Sequence, residues 1–415
     1  MALLAPGAYQ WPMLRRILAA TTALALLGAA PPAPDLPPAV DLGRARTAGG
    51  RWLAPAGTSG LAELTLDPAL QHDAERLLDE AHPAAGAVVA IDVKSGRILA
   101  WADRRKDGRG PSEVTTPHAP AASVFKLVTT AALFEKTDIA PSERVCIAGG
   151  LRSIERRHLD PPRDGDIHCG PFFQALGHSR NAVYAQLATH RLMRADLVDV
   201  AERIGFNGRL PFDFKASVGT LDVPYEDLEF ARTAAGFRGS TLTPLGGAYL
   251  AAVIAGGGLA PRLRLVARAE NYEPPAGLAT EGRVFSATTA QRLERMMEVT
   301  VASGTARAAF HDELGHSLMG PIQVAGKTGT LHPSEAEGEG VASWFIGFAP
   351  ARSPSVVVSV LLENGTVWRR KAVEVARDVL RSYFVARGVA GIQAPDFGRP
   401  DAAPPSERVR SAARE

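Results

Sequence analysis

The sequence predicts an α/β (α+β) domain in which one sheet is assembled from strands near both ends of the chain and a helical subdomain is inserted between them. Short runs that read as strands occur at 61–66, 86–93 and 97–102, and apolar runs rich in Val or Ile return at 322–331, 342–348 and 355–362. Between about 172 and 301 the apolar residues follow helical periodicity instead. Strand-rich ends around a helix-rich middle imply a domain that is discontinuous in sequence. A chain of 415 residues with 46% hydrophobic content has ample material for a sizeable core.

The elements follow in order. Arg15 and Arg16 precede an uncharged apolar run of 14 residues (17–30) and then a proline-rich stretch. A spanning helix needs about 20 residues, so 1–34 reads as an export signal peptide, with a short membrane anchor as the alternative. Residues 35–60 are rich in Gly, Ala and Arg and read as a linker. After the strand at 61–66, Asp67 offers an N-cap and Pro68 a first-turn residue for a helix to about 81. Ser95 and Gly96 mark the turn of a hairpin with arms 86–93 and 97–102. The run 123–136 is an almost continuously apolar helix, buried on most sides, whose only early charge is Lys126. Further helices are expected near 181–192, 194–204, 244–254 and 287–301, and a final amphipathic one over 368–386. The folded domain is expected to span 61–388. Residues 389–415, where Pro, Ala and charge accumulate, read as a disordered tail.

With 46 basic and 44 acidic residues the net charge is +2, so no field of one sign gathers a polyanion, and nucleic-acid binding is excluded as a reading. Only seven of the basic residues are lysines, which makes each of them informative. The two cysteines, Cys146 and Cys169, lie 23 positions apart. In the oxidising compartment that export implies, a disulfide between them is expected, worth about 3 kcal/mol through the unfolded state. His158, His168 and His178 lie nearby, but no pair has the short ligand spacing of a zinc module, so no metal site is expected.

Three short motifs occur in order: Ser123-Val124-Phe125-Lys126, Ser179-Arg180-Asn181 and Lys327-Thr328-Gly329-Thr330. Each is weak alone; their order and context decide. Ser123 opens the buried helix, and Lys126, one turn later, lies on the same face. Burial disfavours the charged amine and brings its pKa toward a value useful to a general base. Ser179-Arg180-Asn181 stands at a loop-to-helix junction, where an N-cap is the competing reading for either end residue. Gly326 and Gly329 are costly in a strand interior and mark close approach of backbone to a ligand.

Together the motifs resemble those of the penicillin-binding proteins and serine β-lactamases, the penicilloyl serine transferases. The connecting segments LAELTLDPALQ, GAVVAIDVKSGRILAWAD, LTPLGGAYLAAVIAGGG, VASGTARAAF and SWFIGFAP look similar too, so the resemblance covers about 61–388. It implies the β-lactamase/transpeptidase-like fold, with an antiparallel sheet flanked by helices. It also implies a peptidoglycan D,D-transpeptidase or D,D-carboxypeptidase that acts on D-Ala-D-Ala stem peptides, is acylated by β-lactam antibiotics, and works in the periplasm or cell envelope without a cofactor. In that scheme Ser123 is the nucleophile, Lys126 takes its proton, Ser179 relays a proton to the leaving amine and Asn181 holds the donor amide. Lys327 supplies positive potential, Thr328 and Thr330 bind the substrate carboxylate, and Gly329 lets the strand approach. The backbone N–H groups of Ser123 and Thr330 form the oxyanion hole.

The sequence departs from the family pattern in Ala121-Ala122, where relatives often have Pro-Gly, which puts the turn before Ser123 in question. Residues 35–60 also leave no space for a glycosyltransferase domain or an N-terminal pedestal. A β-lactamase remains an alternative, although no Glu-x-x-Leu-Asn deacylation motif is present and the acidic cluster Glu226-Asp227-Leu228-Glu229 lacks the asparagine. A non-catalytic penicillin-binding sensor or scaffold is the other.

Overall fold

The computed structural model describes residues 39–397 apart from 109–110, 271, 275–276, 332–339 and 366–367. The export segment at 1–34 and the tail beyond 397 lie outside the described residues.

Three layers build the domain. The middle one is a five-stranded antiparallel sheet of β4 (Ala85–Asp92), β5 (Ile98–Arg105), β11 (Ala325–Leu331), β12 (Val341–Ala349) and β13 (Val356–Asn364), in the order β11-β12-β13-β4-β5. It is assembled from both ends of the chain, as the strand pattern predicts. Period-two alternation sends Ala87, Val89 and Ile91 of β4 into one core and Val88 and Ala90 into the other. Helices α1 (Pro68–Ala81) and α10 (Ala372–Val385) cover the second core. Asp67 caps α1, its side chain accepting from the N–H groups of Ala69 and Leu70. The β4–β5 turn is closed by Asp92, which accepts from Ser95 N–H at 2.8 Å.

The opposite face carries the helical part. It comprises α2 (Lys126–Lys136), α3 (Phe172–Gly177), α4 (Asn181–Arg191), α5 (Arg194–Ile204), α6 (Asp227–Ala234), α7 (Pro244–Ala255) and α8 (Ala287–Ala302), whereas the short α9 (Arg307–Phe310) packs through Phe310 into the second core. Every residue of α2 from Lys126 to Phe134 is buried. The α-helix does not start at Ser123 as expected: a 3₁₀ turn, Ala122–Phe125, comes first and holds the serine. Small strand pairs complete the layer, β6 (Arg144–Ile147) with β7 (His168–Pro171) and β8 (Leu259–Pro261) with β10 (Thr280–Arg283).

Two expectations are corrected. The stretch read as a linker forms β1 (Arg46–Ala48) and β2 (Arg51–Ala56), which join β3 (Gly60–Leu64) and β9 (Val266–Arg268) in a separate four-stranded sheet. The strand expected at 61–66 thus lies outside the central sheet. The inner face of β2 is Trp52, Ala54 and Ala56, with both alanines buried, and alanines do not register as an apolar strand face in sequence. The described part of the expected tail, 389–397, is packed as well. Val389, Ile392 and Phe397 lie against the second core, and Arg381 donates to the carbonyls of Gln393 (2.9 Å) and Ala394 (3.1 Å). Composition does not reveal an arginine donor a dozen positions upstream.

Cys146 and Cys169 face each other across β6 and β7 and are joined by a disulfide. Replacing both by serine is expected to lower stability by about 3 kcal/mol by freeing the loop in the unfolded chain, read as a lower urea midpoint.

Candidate active site

The 3₁₀ turn places Ser123 at the head of α2, and the helix carries Lys126 one turn on into a space with no solvent access. The Lys126 Nζ lies 2.7 Å from each of three oxygens: Ser123 Oγ, Asn181 Oδ1 and the carbonyl of Ala235. Ala235 ends α6, so its carbonyl is one of the helix's unpaired C-terminal acceptors, at the negative end of the helix dipole. The neighbouring Ala234 carbonyl accepts from Thr129 of α2 at 2.7 Å, which fixes α6 against the lysine's helix. Asn181 is itself held, donating from Nδ2 to the Leu151 carbonyl at 2.5 Å.

Burial, helped by the nearby positive charge of Lys327, holds the Lys126 amine well below the usual lysine range. A neutral amine has two N–H donors and one lone pair. The asparagine oxygen and the Ala235 carbonyl accept but never donate, so they take both hydrogens. The lone pair is left for the Ser123 hydroxyl, the only one of the three partners with a proton to give.

The second motif meets the third. Ser179 sits in the left-handed region at φ 53°, a costly conformation for a residue with a Cβ, and its Oγ accepts from Lys327 Nζ at 3.1 Å. Neither Ser179 nor Asn181 caps α4: its N-cap is Arg180, and no side chain satisfies that end. Lys327, also without solvent access, donates further to the Thr328 carbonyl at 2.6 Å, and burial pushes its pKa down to about 7. It stands on β11, the edge strand of the sheet, at the cleft side. Gly329 brings this strand onto the nucleophile turn: a Cβ there would stand 3.3 Å from both Ala122 Cβ and Val124 Cγ2. Thr328 is half-buried and Thr330 exposed on the same face of the strand.

The predicted residues thus form two adjacent hydrogen-bonded groups, Ser123–Lys126–Asn181 and Ser179–Lys327, close enough for the Lys327 charge to act on Lys126, with Thr328, Gly329 and Thr330 on the strand that carries Lys327. Three contributors carry little sequence signal. Ala235 acts through its carbonyl, which no side chain announces. Gly236, at φ 84°, passes against the nucleophile turn so closely that a Cβ would stand 2.0 Å from the Ala122 carbonyl oxygen. Thr305 donates its N–H to the Gly177 carbonyl at 3.1 Å, and its hydroxyl is hydrogen-bonded to that of Thr328, joining the approach to Ser179 with β11. Its only sequence signal is its place in a Gly-Thr pair after a helix.

Ala122 adopts the left-handed conformation at φ 49°, so the turn forms without the glycine common at this position. The carbonyl of Pro120, just before it, accepts from Trp344 Nε1 at 2.9 Å and ties the turn to β12. The acidic cluster is occupied structurally: Glu226 caps α6 and pairs with Arg156, and Glu229 pairs with Arg232 and Arg238.

The family model described as the penicillin binding protein transpeptidase domain matches residues 86–383. A relative in Mycolicibacterium smegmatis, peptidoglycan D,D-transpeptidase PbpA, is 26% identical over 348 residues, covering 74% of this chain and 68% of the relative. Stage V sporulation protein D of Bacillus subtilis is 27% identical over 339 residues, 74% of this chain and 50% of that protein. Among solved structures, the D,D-transpeptidase domain of a peptidoglycan glycosyltransferase from Eggerthella lenta superposes with a TM-score of 0.64 at 25% identity, covering 80% of this chain and 84% of that one.

Gly236→Ala is expected to displace the Ala122–Ser123 backbone and destabilise the fold by more than the roughly 1 kcal/mol that a positive φ alone costs alanine, read as a lower thermal midpoint. An unchanged midpoint would show that the turn yields without cost.

Proposed function

Since this chain belongs to the penicillin-binding protein transpeptidase family, we propose that it is a peptidoglycan D,D-transpeptidase acting on D-Ala-D-Ala stem peptides through an acyl-enzyme on Ser123. The observation that carries this reading is the desolvated amine of Lys126, bonded to two oxygens that can only accept and to the Ser123 hydroxyl. As Ser123 Oγ bonds to the carbonyl carbon between the two D-alanines, its proton passes to the Lys126 lone pair. The Ser123 and Thr330 backbone N–H groups receive the developing oxyanion, each such donor being worth about 3 kcal/mol. The edge position of β11 supports this role, because its outer side pairs with no strand among the described residues.

Collapse of the tetrahedral intermediate breaks the peptide bond and requires a proton on the departing D-alanine amine. Ser179 Oγ, bonded to the Lys327 ammonium, delivers it, and Lys126 loses the corresponding proton along the same relay. Asn181 Oδ1 orients Lys126 while its amide edge serves the donor peptide. Thr328 and Thr330, beside Lys327, hold the substrate's terminal carboxylate. An acceptor amine then attacks the acyl-enzyme with Lys126 as base, restoring the free serine. β-Lactams enter by the same first step.

Arg15, Arg16 and the apolar run 17–30 support a location outside the cytoplasm at the cell envelope, whether anchored or released. Among the described residues no helix is long and apolar enough to cross a membrane.

Labelled penicillin, followed by intact mass, is expected to acylate the wild-type protein stably and to leave Ser123→Ala unmodified; absence of a wild-type adduct would overturn the assignment. Rapid loss of the adduct would instead mark a β-lactamase, and release of D-alanine from a pentapeptide without cross-linked product a carboxypeptidase.

The general base acts only when neutral. The acylation rate is therefore present above the Lys126 pKa and lost as pH falls through it, with the midpoint well below 10.5. Lys126→Arg keeps the charge but cannot release its proton, and is expected to slow acylation by about 10²–10⁴-fold at every pH up to 10.

A further inference from the structure

Tyr184 stands on α4 three residues after Asn181, one turn along the same face of the helix. Asn181 meets the Lys126 amine with its side-chain oxygen. Tyr184 meets it with the face of its ring, the Nζ lying 5.6 Å from the ring centroid. The tyrosine has no solvent access, and its neighbours fix the ring. Thr130 Oγ1 donates to the Lys126 carbonyl at 2.7 Å, which uses its one hydrogen, so it accepts from the Tyr184 hydroxyl at 2.8 Å. Phe172 of α3 packs against the ring, with centroids 6.0 Å apart. The hydroxyl thus ties the ring to the very helix that carries Lys126.

When Lys126 takes the Ser123 proton, an O–H bond breaks, an N–H bond forms, and a full positive charge appears where water does not reach. Among the described residues no carboxylate pairs with that charge, and the charge that acts on it is a second cation, Lys327. The Asn181 and Ala235 oxygens offset part of the cost. A ring face is the negative side of the aromatic quadrupole, and within about 6 Å it attracts a desolvated cation more strongly than a hydrated one. Its pull on a neutral amine is far weaker, so it favours one protonation state over the other. We propose that the ring face of Tyr184 sets the base strength of Lys126 by stabilising the ammonium that forms as Ser123 is acylated. Tyr184 has no exposed surface with which to touch a substrate and acts through the lysine, as a positioning residue. The assignment rests on the acyl-transfer reading above and adds to it the group that tunes its base.

The test follows the rate of acylation of the full-length protein by labelled penicillin as a function of pH. It compares wild type, Tyr184→Phe, and the same phenylalanine carrying one, two or three ring fluorines, which drain charge from the ring face at nearly constant shape. Tyr184→Phe keeps the face and is expected to keep the wild-type acid limb. Each fluorine weakens the pull on the ammonium, so the amine gives up its proton more readily. The acid limb is expected to move stepwise to lower pH, by about one unit in total, and the rate on the high-pH plateau to fall a few-fold. No ring stands over Lys327 among the described residues, so the part of the profile governed by its pKa of about 7 is expected to stay in place. A residue that only filled space would leave both readouts unmoved along the fluorinated series. An unmoved limb and plateau, in proteins whose thermal midpoints match that of Tyr184→Phe, would therefore overturn the assignment. So would a limb that shifts fully in Tyr184→Phe and no further, which would trace the effect to the hydroxyl bond with Thr130. Absence of any penicillin adduct in wild type would overturn the acyl-transfer reading itself.

Discussion

A lysine amine without solvent access is the constraint around which the site is arranged. Desolvation disfavours the charged form of Lys126, yet it also makes every unpaired polar contact expensive, so each bond to the amine has to be supplied by a fixed group. Three distant parts of the chain supply them: the 3₁₀ turn at Ser123, the start of α4 at Asn181 and the end of α6 at Ala235. The near-complete burial of α2 follows from this need. A helix with a solvated face would hydrate its lysine and return it to an ordinary cation.

The second buried lysine answers a different need. Lys327 faces Ser179 and its own strand, and its charge further disfavours a second positive charge on Lys126. The two buried amines thus differ in their partners: Lys126 sits beside the Ser123 hydroxyl, Lys327 beside that of Ser179. The edge strand that carries Lys327 meets the Ser123 turn at Gly329, and the chain leaving α6 meets the same turn at Gly236, because neither residue has a Cβ at its point of closest passage. The left-handed Ala122 and Ser179 are held by this crowding and not by their own preferences.

Outside the cleft, the small sheet β1–β2–β3–β9 and the packed stretch 389–397 extend the folded unit beyond the span of the family match. The disulfide hairpin has a share in the site as well. The loop it closes carries the Leu151 carbonyl that holds Asn181, and the Ile154 carbonyl that accepts from Arg232 of α6. Both side-on partners of Lys126 are thereby steadied from one loop.

The central sheet, the principal helices and the three motifs were legible in the sequence because each rests on local pattern: two-residue alternation, helical periodicity, or a rare lysine next to a hydroxyl. Strands β1 and β2 were not, since β1 is exposed throughout and the buried residues of β2 are alanines whose burial depends on distant partners. Neither were Ala235, Gly236 and Thr305, which act through a carbonyl, through the absence of a Cβ and through one hydroxyl contact. The sequence by itself singled out Ser123, Lys126, Ser179, Asn181 and Lys327 as the side chains to look for together. Only the tertiary structure decided that Lys126 has two acceptors and one hydroxyl as partners and that Lys327 faces Ser179, because proximity between residues 50 to 150 positions apart is set by packing, and packing leaves no local trace.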